Sequence, residues 1–129
     1  MARSMSLTLG GQEYDLVANW RASMAITERI MCPLLMARDA ALSAKFEEHH
    51  VPYDAKFEFS MENTAIILHC ALRANGYDSI TLDDVGEAMM EDGAITHIGN
   101  ADNFLALIVS GGSKELEGGK AKAGKSKGK

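Results

Sequence analysis

The sequence has few of the residues that cross-link a chain or anchor it in a membrane. Two cysteines among 129 residues, Cys32 and Cys70, exclude the dense disulfide framework of a small secreted domain. No apolar run approaches the roughly 18–20 residues that cross a bilayer, and no apolar segment follows Arg3 as it would in a signal peptide. We therefore expect a soluble protein of a reducing cytoplasm, with no membrane partner.

Basic residues are scarce in the part of the chain that is predicted to fold. Residues 1–110 contain seven basic and sixteen acidic residues, a net charge of −9, whereas residues 111–129 contain six lysines and two glutamates, a net charge of +4. A general nucleic-acid binder presents positive charge on its folded body. The charge distribution therefore disfavours a specific nucleic-acid partner.

The hydropathy pattern predicts a mainly α, α+β fold that begins with a β-hairpin. Alternating residues over 4–17, interrupted by Gly10-Gly11, are typical of two short strands joined by a tight turn. Helical periodicity then predicts four or five helices. Their expected ranges are about 20–31, 33–48, 61–74, 82–91 and 101–110.

Local signals also predict the helix ends and the faces that are buried. Asn19, Ser60 and Thr81 are the expected N-caps, the last within a capping box with Asp84. We expect the helices to bury the following stripes: Trp20, Met24, Thr27 and Met31, widened by Ile26 and Ile30; Leu35, Leu42 and Phe46; Met61, Ala65, Leu68 and Leu72; Leu82, Val85 and Met89; Phe104, Leu105 and Ile108.

The chain is thus predicted to form one hairpin-plus-helices domain over residues 1–110, followed by a disordered Gly/Lys-rich tail over 111–129. The tail has no large apolar residue after Leu116. Burial therefore cannot offset the entropy that ordering this segment would cost.

No residue pattern predicts catalysis, a cofactor or a metal site. The tail matches the phosphate-binding pattern G-x-x-x-x-G-K-[ST] at Gly119, Gly124, Lys125 and Ser126, but without the strand and helix that make the loop work. We interpret that match as a consequence of composition.

The cysteines and histidines lack the close pairing of structural zinc ligands, which favours buried free cysteines and surface histidines. The carboxylates Asp83, Asp84, Glu87, Glu91 and Asp92 are expected to form a solvated helix face. We predict a protein that is not an enzyme.

The stretch Ile30 to Met36 contains seven residues without a polar side chain. One amphipathic helix cannot hide all of them on one face. The segment is either buried on every side, or it forms a partner-binding surface carried by Met31, Leu34, Leu35 and Met36. Eight methionines in the chain suit such an adaptable surface.

The order of motifs resembles a known family. Leu-Thr-Leu-Gly-Gly-Gln-Glu-Tyr-Asp-Leu at 7–16 is followed by Ala-Ile-Thr-Glu-Arg-Ile at 25–30. Ala-Leu-Arg-Ala-Asn-Gly at 71–76, Ile-Thr-Leu-Asp-Asp-Val-Gly at 80–86 and Phe104-Leu105 come later. Over about residues 5–110 the chain resembles the small tail proteins of gene transfer agents and related tailed phages, which are described as tail tube or tail assembly chaperone proteins.

The resemblance implies a non-enzymatic role in building a siphophage-like tail. A tail assembly chaperone covers the long helical tape measure protein until tube subunits replace it. The alternative within the resemblance is a structural tail component, either a tube subunit or a connector. The expected partners are the tape measure protein or the tail tube protein, with self-association as a further option, in the cytoplasm of a bacterial host or within the virion. The family implies no catalytic residues.

Overall fold

A computed structural model describes residues 3–111 and confirms the predicted α+β, mainly α architecture. A two-stranded hairpin is followed in this range by five helices. The elements are β1 (Ser4–Leu9), β2 (Gln12–Val17), α1 (Trp20–Arg29), α2 (Pro33–Glu48), α3 (Met61–Ala74), α4 (Leu82–Asp92) and α5 (Ala94–Ser110). The predicted tail and its phosphate-loop match lie outside the described residues.

The hairpin packs its apolar face and its turn onto the helices. β1 and β2 are antiparallel, with Leu9 opposite Gln12 at the turn, and alternation leaves Leu7, Leu9 and Leu16 buried. Gly10 and Gly11 have φ of +59° and +82°, the left-handed conformation that two-residue hairpin turns require. Gly10 lies directly against α4, where a Cβ added to it would be 3.1 Å from Ala88 Cβ.

Helix α3 is the centre of the core. It packs against α1, α4, α5 and β2, and it is buried almost all round between Thr64 and Leu72. The fully buried side chains Leu68, Leu72 and Phe104 belong to this core. The hairpin and the other helices are therefore arranged around one apolar helix.

The predicted N-caps are confirmed. The Asn19 side chain accepts a hydrogen bond from the backbone N–H of Ala22 at 2.8 Å, and Ser60 caps α3 in the same way. Thr81 and Asp84 form the reciprocal capping box, which satisfies two backbone donors at once. Helix α2 has no side-chain cap and begins instead with Pro33.

The buried face of α1 agrees with the prediction only in part. Ala22 and Ile26 are buried, whereas Trp20 is 77% exposed and Met24 is 37% exposed. Ile26 belongs to the predicted face, and Thr27, Ile30 and Met31 of that face are half-buried. The error is confined to Trp20 and Met24, which lie at the exposed edge of the predicted face.

The prediction for helix α2 is confirmed in part, since Leu42 and Phe46 of the predicted stripe are half-buried. Pro33, Met36 and Asp39 are buried, whereas Leu35 is exposed. Apolar and polar residues are mixed around this helix. Periodicity therefore identified the helix and the inward residues of its second half, but not the residues buried in its first two turns. Met61, which was predicted to be buried in α3, is likewise exposed.

Helix α5 begins at Ala94, about seven residues before the predicted start. Gly93, at φ +98°, ends α4 and immediately precedes α5. The polar residues and Gly99 in the first two turns conceal the helical period in the sequence. Within residues 3–111 no helix is long and apolar enough to cross a membrane.

Candidate partner-binding surface

The structure separates the four residues predicted to bind a partner. Leu34 is 62% exposed and Leu35 is 48% exposed in the first turn of α2. Met31 is half-buried against the core, and Met36 is 3% exposed. The apolar stretch is therefore neither buried on every side nor wholly exposed. Its partner-binding role stays a prediction, with the two leucines as its accessible part.

An apolar groove of about 330 Å³ lies between α2 and α5. Met36 lines it, so the buried methionine and the exposed leucines occupy adjacent positions on α2. The other apolar lining residues are Pro33, Ala37, Ala40, Phe57, Phe59, Leu105, Ala106 and Val109. The alanines on both helices leave room where larger side chains would close the gap.

Asp39 holds the segment between α2 and α3 against this groove. Its carboxylate accepts hydrogen bonds from Tyr53 Oη at 2.8 Å and from the backbone N–H groups of Lys56 and Phe57 at 3.1–3.2 Å. The pKa of the Asp39 carboxyl lies below its usual value, chiefly because of the Lys56 N–H and then because of the Tyr53 hydroxyl. The carboxylate therefore stays ionised and keeps the three donors in place.

Two phenylalanines of the anchored segment form one wall of the groove. The Phe57 and Phe59 rings meet edge to face with centroids 4.9 Å apart, a favourable aromatic arrangement. Residues 49–59 were correctly predicted to be non-helical, but this anchor was not predicted. The available sequence signal was Asp39, a single carboxylate three residues after Met36 on the same buried stripe of α2.

Two of the four histidines are buried, which corrects the prediction of surface histidines. His97 is fully buried, and its Nε2 lies 2.8 Å from Asp92 Oδ2. Asn100 Nδ2 donates to His97 Nδ1 at 3.0 Å, so Nε2 carries the proton that is donated to Asp92. Asp92 also accepts the Gly10 N–H at 2.8 Å. This network connects the hairpin turn to α4 and α5.

The Asp92 carboxylate is held ionised by that network. Its pKa is lowered first by the Gly10 N–H and then by His97. Asp83, Glu87 and Glu91 are exposed, as predicted for a solvated face, whereas Asp92 has a structural role. Asp84 belongs to the capping box, and this lowers its pKa.

The remaining candidate metal ligands do not cluster. His69 is 7% exposed and Cys70 is 3% exposed, while Cys32 is half-buried. Between residues 3 and 111, no group of three or more His, Cys, Asp or Glu side chains is arranged to hold a metal ion.

Comparison with known proteins gives no relative. No protein-family model matches the chain, and neither a curated protein nor a solved structure matches it. The functional argument therefore depends on the motifs of the sequence and on the surfaces described above.

Proposed function

We propose that this protein is a non-enzymatic tail assembly chaperone that covers the tape measure protein of a siphophage-like particle in the cytoplasm of the producing bacterium. The observation that carries the proposal is the exposed pair Leu34 and Leu35 beside the α2–α5 groove. The motif order of the hairpin and helices supports it independently.

The surface suits an amphipathic helix of the partner. The two leucines project from the first turn of α2, and the groove beside them is lined mainly by apolar side chains. At about 330 Å³ it is near the lower limit of ligand pockets, roughly 300 Å³. That volume suits a few apolar side chains laid into a groove rather than a whole helix.

One wall of the groove is fixed by hydrogen bonds within the protein. Asp39 fixes the segment that carries Phe57 and Phe59 through charge-assisted hydrogen bonds. A preformed groove lowers the ordering cost that binding must overcome. The partner therefore meets a surface that needs little rearrangement.

Co-expression with the tape measure protein tests the proposal. The double substitution Leu34→Asp/Leu35→Asp is expected to remove the tape measure protein from the soluble fraction. The variant itself is expected to fold, because both side chains are substantially exposed and carboxylates in a first helical turn interact favourably with the helix dipole.

Ile95→Asp is the matched control. Ile95 is 86% exposed and, like Leu34, is the second residue of its helix. It is expected to keep the tape measure protein soluble. The assignment of the leucines to a binding surface would be contradicted if both variants lost the soluble tape measure protein equally. It would also be contradicted if the double variant failed to fold in the absence of the partner.

Counting copies in purified particles distinguishes the structural alternative. A chaperone is expected in the lysate and absent from particles, whereas a tube subunit or connector is stoichiometric in them. Tube subunits polymerise through sheets, and residues 3–111 provide one two-stranded sheet. Many copies per particle would overturn the chaperone proposal.

A further inference from the structure

Three arginines meet in one pocket between α1 and α3. Arg21 and Arg29 lie two turns apart on α1, and Arg73 faces them from the last turn of α3. The pocket measures about 430 Å³ and includes a single carboxylate residue, Asp78. Almost half of the basic residues in the acidic segment 1–110 are therefore gathered at one place.

These guanidinium groups have no ionic partner in the described part of the chain. The ion pairs found between residues 3 and 111 involve Lys56 with Asp54 and His97 with Asp92. A segment that carries sixteen carboxylates thus leaves the three arginines unpaired. Such an arrangement favours an anionic group from outside.

A buried histidine positions Arg29. Arg29 Nη1 lies 3.1 Å from His69 Nδ1, and His69 Nε2 lies 3.1 Å from the Ile80 carbonyl oxygen. The carbonyl only accepts, so Nε2 carries the proton and Nδ1 accepts from Arg29. Burial, with Arg29 and Arg73 adding to it, lowers the pKa of His69, which keeps Nδ1 available as an acceptor.

Two apolar residues on the neighbouring stripe of α1 indicate the kind of ligand. Trp20 and Met24, both exposed, lie one turn apart on α1 and directly precede Arg21 and Ala25. Trp, Met and Arg are the residue types enriched at protein interfaces. A small anion would contact the arginines and leave the Trp20 ring uncovered, whereas a protein segment covers both.

We propose that the α1–α3 face binds an acidic amphipathic segment of a partner protein, whose carboxylates pair with Arg21, Arg29 and Arg73 while its apolar side chains cover Trp20 and Met24. Arg21 and Arg29 are about 12 Å apart along the helix axis, at roughly 1.5 Å per residue. The matching segment therefore carries acidic side chains about two helical turns apart. This inference concerns helices other than the Leu34–Leu35 surface and does not depend on the chaperone proposal.

Trp20 provides a direct readout because it is the only tryptophan of the chain. The probe is a synthetic, tryptophan-free helical peptide with glutamates two turns apart beside a leucine stripe, titrated into the full-length protein. We expect the Trp20 emission to shift to shorter wavelength on saturation and the affinity to fall with added salt. A peptide with glutamine in place of glutamate is expected to bind at least about tenfold more weakly.

Charge-removing substitutions locate the site. Arg21→Gln/Arg73→Gln is expected to weaken the glutamate peptide at least about tenfold, and circular dichroism checks that the variant is folded. Arg38→Gln removes an exposed charge from α2 and is expected to leave the affinity unchanged. If the double variant unfolds, Arg21→Lys/Arg73→Lys replaces it. This variant keeps the charge but loses the two-pronged contact, so we expect weaker binding.

Three results would overturn the inference. One is an absence of peptide binding, and another is equal binding of the glutamate and glutamine peptides. The third is tighter binding of a single-stranded oligonucleotide than of the glutamate peptide at the same salt concentration, which would assign the arginines to phosphates instead.

Discussion

Two adjacent glycines with different surroundings test how closely the hairpin is packed. Gly10 and Gly11 both have positive φ, but only Gly10 has a neighbour within 4 Å of an added Cβ, namely Ala88 at 3.1 Å. Gly10→Ala and Gly11→Ala therefore share the backbone strain of a side chain in the left-handed region. They differ in the contact with α4.

The loss of unfolding free energy that both variants share is small. A left-handed residue with a Cβ costs roughly 1–2 kcal/mol, and the reduced freedom of the unfolded chain returns about 0.4–1 kcal/mol. The contact at 3.1 Å requires α4 or the turn to move, and overpacking of this kind costs roughly 1–3 kcal/mol. We expect Gly10→Ala to lower the free energy of unfolding by about 1–3 kcal/mol more than Gly11→Ala does.

Urea unfolding followed by circular dichroism measures both variants. Repeating Gly10→Ala in an Ala88→Gly background forms a double-mutant cycle. Removing the Ala88 methyl group is expected to abolish most of the extra loss, although Ala88→Gly itself weakens α4 by about 1 kcal/mol. Equal losses for the two glycine variants, or an unchanged effect of Gly10→Ala in the Ala88→Gly background, would refute the packing argument.

Other features of the fold give three further tests. Hydrogen bonds lower the pKa values of Asp39 and Asp92 in the folded protein. Their contribution to the free energy of unfolding is therefore complete above the unfolded-state pKa of about 3.9 and is lost as the pH falls through the lower folded-state pKa values. Urea midpoints that stay constant from pH 6 to pH 2 would contradict this. Thr81→Ala removes the cap of α4 and is expected to cost roughly 1 kcal/mol of unfolding free energy in the same assay, and a change below about 0.2 kcal/mol would show that the cap is not needed. Burial raises the pKa of the Cys70 thiol, so Cys32 is expected to react first with a thiol reagent under native conditions. If mass spectrometry shows that Cys70 is labelled faster, the result would count against the packing of α3.

The predictable part of the fold has a local chemical cause. The paired glycines at 10 and 11 dictate a hairpin turn, and Asn19, Ser60 and Thr81 each carry a side chain that caps the backbone just after it. Such signals act within a few residues of the chain, so sequence reasoning locates them.

The errors arise where tertiary packing selects between alternatives. In α1, the predicted face included both Trp20 and Ile26, but only Ile26 faces the core while Trp20 is exposed. In α5, the first turns carry polar residues, and His97 becomes buried only because Asp92 and Asn100 satisfy both of its ring nitrogens. Both partners lie within five residues of His97 in the sequence, but the burial of the ring depends on how α5 packs against the other elements.

The candidate surfaces show the same division. The apolar stretch at 30–36 was identified from composition, but only the folded chain shows that Leu34 is exposed while Met36 is buried. The pocket formed by Arg21, Arg29 and Arg73 was missed because its residues come from two separated helices. Arginines two turns apart on α1 were the available signal.

The hydrogen bond from Gly10 to Asp92 has a consequence for how the protein is made. The two residues are 82 positions apart, and translation at about 5–20 residues per second places roughly 4–16 s between their syntheses. The hairpin is synthesised first, but the carboxylate that holds its turn emerges only near the end of the domain. A chain stalled before Asp92 therefore lacks the side chain that accepts the Gly10 N–H, and this hydrogen bond can form only once α4 is complete.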